Sequence, residues 1–227
     1  MHSVDNTAFL ASVGTAQYLT PELLDRKIEA VSGYPWIRNL TTRQLLDVNE
    51  YRTYYGGIDS DSITTRITSP NGLMASVASR MAFEMSCRVG GRDFLLLPEN
   101  RRLFPLVEIS YEPEDENGFV IPDAEEAIKH NIVHMFQQVL DQHVGLQDEE
   151  LLAVYALWKD TWKNGKAAVV ATTERADLSE SCAVNRDYFT NANLPEAQRL
   201  RRDPNYTVRA WNAVFAYLLA DARFLHD

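Results

Sequence analysis

Tyr54-Tyr-Gly-Gly-Ile-Asp-Ser-Asp-Ser-Ile63, followed by Ser69-Pro-Asn-Gly-Leu-Met-Ala-Ser-Val-Ala-Ser-Arg-Met-Ala-Phe-Glu-Met-Ser-Cys-Arg88, is the stretch whose reading decides the fold. Leu73, Met74, Val77, Ala78, Met81, Ala82 and Met85 recur at i, i+3, i+4 and i+7, which predicts an amphipathic helix from Pro70 to about Arg88. Small residues (Ala75, Ser76, Ala78, Ser79, Ala82) are interspersed along it, so neighbouring backbones can come close. The helix is therefore expected at the centre of the fold. Gly56-Gly57 before it and Gly90-Gly91 after it read as helix stops, because glycine tolerates the left-handed conformation that ends helices.

The same signals recur on both sides. Thr20-Pro21-Glu22 opens a helix with a capping hydroxyl, a proline in the first turn and an acid. Leu23, Leu24, Ile28 and Val31 form its inner face, and Gly33 ends it. Met1–Leu19 reads as an arm or short helix. Thr41 or Thr42 is expected to cap a second helix over Arg43–Tyr55. Toward the C-terminus, Pro122 starts a helix running to about Val144, with Ile128, Ile132, Met135, Phe136, Val139 and Leu140 inward. Asp148 caps an aromatic-rich helix over Glu149–Asn164, closed by Gly165. Ala167–Ala171 fits either a helix extension or a short strand, and Leu178–Asn193 is turn-rich. Asp203-Pro204 opens the last helix, to about Leu225. The expected fold is all-α, an irregular bundle of six or seven helices. It forms either one domain over 1–227 or two subdomains, 1–107 and 123–227, joined by the acidic loop 108–122.

Composition restricts the function classes. A formal charge of −10 argues against nucleic acid, since phosphate neutralisation needs a basic surface. No apolar run reaches the length of a membrane span. Cys87 and Cys182 lie 95 residues apart and form no zinc or haem motif. They read either as two buried thiols or as one disulfide, which requires an oxidising compartment. There is no nucleophile elbow and no phosphate-binding glycine loop.

Four groupings could carry chemistry, and each also has a plain structural reading. Glu126, His130 and His134 follow at i+4 steps on one helical face, a spacing that suits zinc or another divalent cation; the pattern lacks HExxH and suits a solvated polar face equally. The acidic loop carries Glu112, Glu114, Asp115 and Asn117 around Gly118. Aligned on Gly118, a calcium loop would need acids where Pro113 and Ala124 stand, so a standard EF-hand is excluded and a looser calcium site or a charged turn is left. Asp59 and Asp61 could hold a cation, or Asp59 could close an Asx-turn while Asp61 caps the turn after it. Met81 and Met85 with Cys87 could bind a soft metal but match ordinary core. The basic pairs Arg101-Arg102 and Arg201-Arg202 could meet the acidic loop or a partner.

Two blocks, Tyr54–Arg88 and Asp203-Pro204-Asn205-Tyr206-Thr207-Val208-Arg209-Ala210-Trp211 through Arg223-Phe224-Leu225, resemble an uncharacterised helical domain of large exported bacterial proteins, some with cytochrome c-like parts. The resemblance implies an extracytoplasmic setting within a larger assembly and brings no catalytic residues. The chain has no CxxCH, so covalent haem is not expected. The functional expectation is a non-enzymatic helical domain that binds or assembles with a protein partner. The alternative is a divalent-metal protein or metal-dependent enzyme using Glu126, His130 and His134 or the loop 112–123.

Overall fold

The computed structural model describes residues 17–38, 43–47, 50–59 and 61–226. Among these the chain forms six α-helices: α1 (Pro21–Ser32), α2 (Gly72–Phe94), α3 (Pro122–Leu140), α4 (Glu149–Val170), α5 (Thr207–Leu219) and α6 (Ala222–Leu225). The all-α expectation holds. The described part of the N-terminal arm, Tyr18 and Leu19, runs beside the C-terminus, with the Leu19 amide donating to the Leu225 carbonyl at 2.9 Å; residues 1–16 lie outside the described residues.

Local capping chemistry sets the helix starts. The Thr20 hydroxyl accepts from the Leu23 amide and Gly33 closes α1 in the left-handed conformation at φ 80°. Helix α2 begins two residues later than Pro70, because the Asn71 side chain accepts from the amides of Leu73 and Met74. Helix α3 ends at Leu140, short of Gly145, because Asp141 takes the left-handed conformation and returns its amide to the last turn. Asp203 caps α5 from four residues away: its buried carboxylate accepts from the Val208 and Arg209 amides.

The helix expected over Arg43–Tyr55 is replaced by turns. The Leu45 amide donates to the Trp36 carbonyl, and the Tyr51 amide to the Leu45 carbonyl, both at 2.9 Å. These non-helical bonds direct Leu45, Leu46 and Tyr55 into the core. Thr41 and Thr42, its expected caps, lie outside the described residues.

Helix α2 is central, as its small residues imply. It packs most extensively on α5, which also carries α4 and, less extensively, α3. Met74, Val77, Ala78, Met81, Ala82 and Met85 are buried, whereas Leu73 at the exposed start of the helix is not. Gly33 is a stop as read, but Gly90, Gly91 and Gly165 have another role. Helix α2 continues through Gly90 and Gly91, and α4 through Gly165. A β-carbon on Gly90 would lie 2.0 Å from Asn212 Oδ1 on α5, and one on Gly165 would lie 2.1 Å from the Tyr206 ring. These positions let a neighbouring helix or ring touch bare backbone.

One cluster of buried apolar residues runs from Tyr18 to Leu225 and draws members from both sides of the acidic loop. Aromatic rings link its parts: Phe94 on Phe104 at 4.5 Å, Phe104 on Trp211 at 5.3 Å, and Trp211 on Trp158 at 5.5 Å. The turn 102–104 that carries Phe104 is held by Asp93, whose buried carboxylate accepts from the amides of Arg102, Leu103 and Phe104 at 2.9 to 3.1 Å. Burial pushes its carboxyl above the usual range, and the three amides oppose that rise.

The Gly90 contact gives a clear expectation. Gly90→Ala should destabilise the fold by about 1–3 kcal/mol in urea unfolding, as overpacking does. Adding Asn212→Ala should recover much of that loss. Strict additivity of the two changes would refute the contact. A second expectation concerns Asp25, buried on α1, whose Oδ1 has no hydrogen-bond partner. Burial, assisted by Glu29, raises its carboxyl from 3.8 to about 6. The native state therefore holds this proton more tightly than the unfolded chain, and stability falls as pH rises across that interval. Asp25→Asn should stabilise by about 1–2 kcal/mol at pH 7 and leave stability unchanged below pH 4. An equal gain at both pH values would contradict this account.

Candidate functional site

The segment 108–121 closes in a tight hairpin over its last nine residues, 113–121. The Glu114 and Val120 backbones pair, and the Asp115 carboxylate closes the tip by accepting from the Asn117 and Phe119 amides at 2.9 Å. Gly118 supplies the left-handed conformation the tip requires, at φ 81°. The Ile121 amide returns to the Pro113 carbonyl at 2.9 Å, so the hairpin runs directly into the first turn of α3.

Three lysines on α4 brace this hairpin. Glu114 accepts from Lys159 at 2.7 Å and Lys163 at 2.8 Å, and Glu112 accepts from Lys166. Lys159, Lys163 and Lys166 lie at i, i+4 and i+7, on one helical face. Hydrogen bonds from Lys159 and Lys163 hold the Glu114 carboxyl below the usual range. At the base of the loop Arg101 forms a bidentate pair with Glu108, at 2.9 and 3.0 Å. One basic residue of the pair at 101–102 thus meets the acidic loop. Arg201 instead pairs with Glu196, and Arg202 with Asp177.

Bracing fixes what the hairpin presents. Leu106, Tyr111, Ile121 and Ala124 line an open groove of about 610 Å³. Phe119, at 70% exposure, and Val120 stand on the same hairpin beside it. The rim is acidic: Asp115, Glu116 and Asp123 border the groove. Glu116 and Asp123 form no ion pair among the described residues, so their charge is left for solvent or a ligand. An apolar surface ringed by charge is the common form of a recognition site.

The residues singled out for metal chemistry are arranged otherwise. Glu126 and His130 face each other at 3.5 Å on the exposed side of α3. His134, one turn on, donates from Nε2 to the Arg102 carbonyl at 2.8 Å and so fastens α3 to the turn after α2. Glu112 and Glu114 are engaged by lysines and Asp115 by amides, with Asn117 at the tip. Asp59 closes an Asx-turn, accepting from the amides of Asp61, Ser62 and Ile63, while Asp61 is exposed. Those amides hold the Asp59 carboxyl below its ordinary value. Met81 and Met85 are core. Among the described residues no three His, Cys, Asp or Glu side chains converge on a point that could hold a metal ion.

Of the two readings of the cysteines, the disulfide is the one found: Cys87 on α2 is bonded to Cys182. Beside it sits a small second apolar cluster with Leu178. The bond secures the irregular segment 176–202, whose own backbone pairing is limited to isolated bridges such as Val184 with Leu200.

The acids of the groove are legible in the sequence as a cluster. Its apolar wall and lysine braces are not, although the lysine spacing at 159, 163 and 166 is a signal opposite an acidic loop. No protein-family model matches the chain, and neither a curated protein nor a solved structure matches it.

The disulfide closes a long loop, so its loss should be costly. Under denaturing, non-reducing conditions a thiol assay should detect no free cysteine. Reduction, or Cys182→Ser, should lower stability by about 4.7 kcal/mol on the chain-entropy estimate. Two reactive thiols in the native preparation would rule out the pairing.

Proposed function

We propose that this chain is a binding or assembly domain that docks a segment of a protein partner on the hairpin segment 108–121, outside the cytoplasm. The observation that carries the reading is the groove beside Leu106, Tyr111 and Ile121, with exposed Phe119 next to it. On its rim stand Glu116 and Asp123, without ion pairs among the described residues. The occupant that fits this surface is an apolar segment flanked by lysine or arginine. Apolar side chains would supply the buried area, and the acidic rim would set orientation and speed encounter. The bracing by Lys159, Lys163 and Lys166 favours recognition, because a surface ordered before binding loses less entropy on docking. The Cys87–Cys182 bond favours an oxidising compartment, where such bonds persist.

The reading is tested with short synthetic peptides that stand in for the partner segment. A Lys/Leu peptide should bind the full chain, and the binding should weaken as salt rises. A Lys/Ser peptide, with the charge but not the apolar residues, should bind at least tenfold more weakly, about 1.4 kcal/mol. Phe119→Ser combined with Ile121→Ser should reduce Lys/Leu binding by a similar factor while leaving unfolding unchanged, since both side chains are exposed. Equal affinity of the variant and the parent would remove the groove from consideration.

A further inference from the structure

A second cleft, of about 240 Å³, lies beside the disulfide on the face formed by α2 and the segment 180–191. Its chemistry is opposite to that of the hairpin. In a chain of net charge −10 it is lined by four arginines, Arg38, Arg88, Arg92 and Arg186, against two acids, Glu180 and Asp187. The carboxylates that reach Arg38 and Arg88 from outside are each shared with a second arginine. Glu50 serves both Arg38 and Arg43, and Glu84 serves both Arg80 and Arg88. Asp187 is turned to its own loop, where it accepts from the Phe189 and Thr190 amides and the Thr190 hydroxyl.

Two of the arginines are built into the wall. Arg88 is 9% exposed; it donates to the Ile37 carbonyl and to Glu84, and its Nε has no hydrogen-bond partner. Arg92, one turn further along α2, donates to the carbonyls of Arg88 and Arg186 and lies over the Tyr188 ring at 5.1 Å. Those acceptors are neutral; Asp187 attracts Arg92 from beyond ion-pair distance, and no carboxylate among the described residues pairs with it directly. Tyr188 is itself fixed, donating to the Pro35 carbonyl at 2.6 Å. A guanidinium removed from water without a carboxylate is costly unless an anion completes its surroundings. Arg186 is exposed at the edge of the cleft and makes no side-chain ion pair among the described residues.

We propose that this cleft binds a small, doubly charged oxyanion, held between the forks of Arg92 and Arg186, with the buried Arg88 guanidinium in the wall behind them. The planar guanidinium matches the paired oxygens of a phosphate or a carboxylate. The volume is below the range usual for drug-sized ligands, which limits the occupant to a headgroup-sized molecule. The site shares no residue with the hairpin groove, so either assignment can fail without the other.

The test is calorimetry on the full, oxidised chain with inorganic phosphate and, separately, malonate, each against sodium chloride at equal ionic strength. At least one anion should bind with saturable heat that chloride does not reproduce; which one does so identifies the headgroup as phosphate-like or carboxylate-like. Arg186→Ala, at an exposed position, should weaken that binding at least tenfold. Arg92→Lys should weaken it comparably although the charge is kept, because the fork is lost. Should Arg92→Lys fail to fold, Arg186→Ala decides the matter. The proposal is overturned if neither anion gives heat beyond the chloride control, or if Arg186→Ala binds as tightly as the parent.

Discussion

Helix α5 can approach α2 closely only because residue 90 has no side chain. Asn212 occupies the space where a β-carbon would stand, and this contact draws Trp211, Val214, Phe215 and Leu218 into the core between the helices. The remainder follows from that juxtaposition. Trp211 meets Trp158 of α4 and Phe104 of the turn held by Asp93, so the long helices and the connecting chain converge on one aromatic seam. Dense packing of this kind transmits small displacements, and it fixes where the surface segments begin.

Surface segments are then positioned by charge and by covalent bonding. The hairpin segment 108–121 has little core of its own and relies on lysines of α4. The segment 176–202 has little regular structure and relies on Cys182 and on Tyr188 reaching the Pro35 carbonyl. The two candidate recognition surfaces are built from these two irregular segments, and each is stiffened by a helix that belongs to the core. Loops that carry function on a rigid scaffold are a general arrangement, and here the stiffening groups can be named residue by residue.

What could be read from the chain is what depends on neighbours in sequence. The apolar stripe of α2, the cap at Thr20 and the Asx-turn at Asp59 are local, and the structure reproduces them. The structure departs from expectation where a residue serves two purposes with one local appearance. Gly90, Gly91 and Gly165 look like helix stops, yet each marks a close approach that only its distant neighbour reveals: α5 for Gly90, the segment 176–202 for Gly91 and the Tyr206 ring for Gly165. Turns at 45–46 and 50–56 stand where a helix is expected, tied by the bonds from the Leu45 amide to the Trp36 carbonyl and from the Tyr51 amide to the Leu45 carbonyl, which no local pattern announces. His134 shares a face with His130, but the Arg102 carbonyl, distant in sequence, decides what its ring does. The choice between thiols and a disulfide likewise rested on a contact across 95 residues.

The Cys87–Cys182 bond has a topological consequence. It closes a covalent ring that contains α3, α4 and the whole acidic hairpin, with α1 and α5 outside it. A protease that nicks the exposed hairpin tip near Gly118 therefore releases no fragment. The two pieces stay joined through sulfur as well as through the shared core, and they separate only after reduction and unfolding. Cleavage at that exposed tip thus leaves the molecule in one piece.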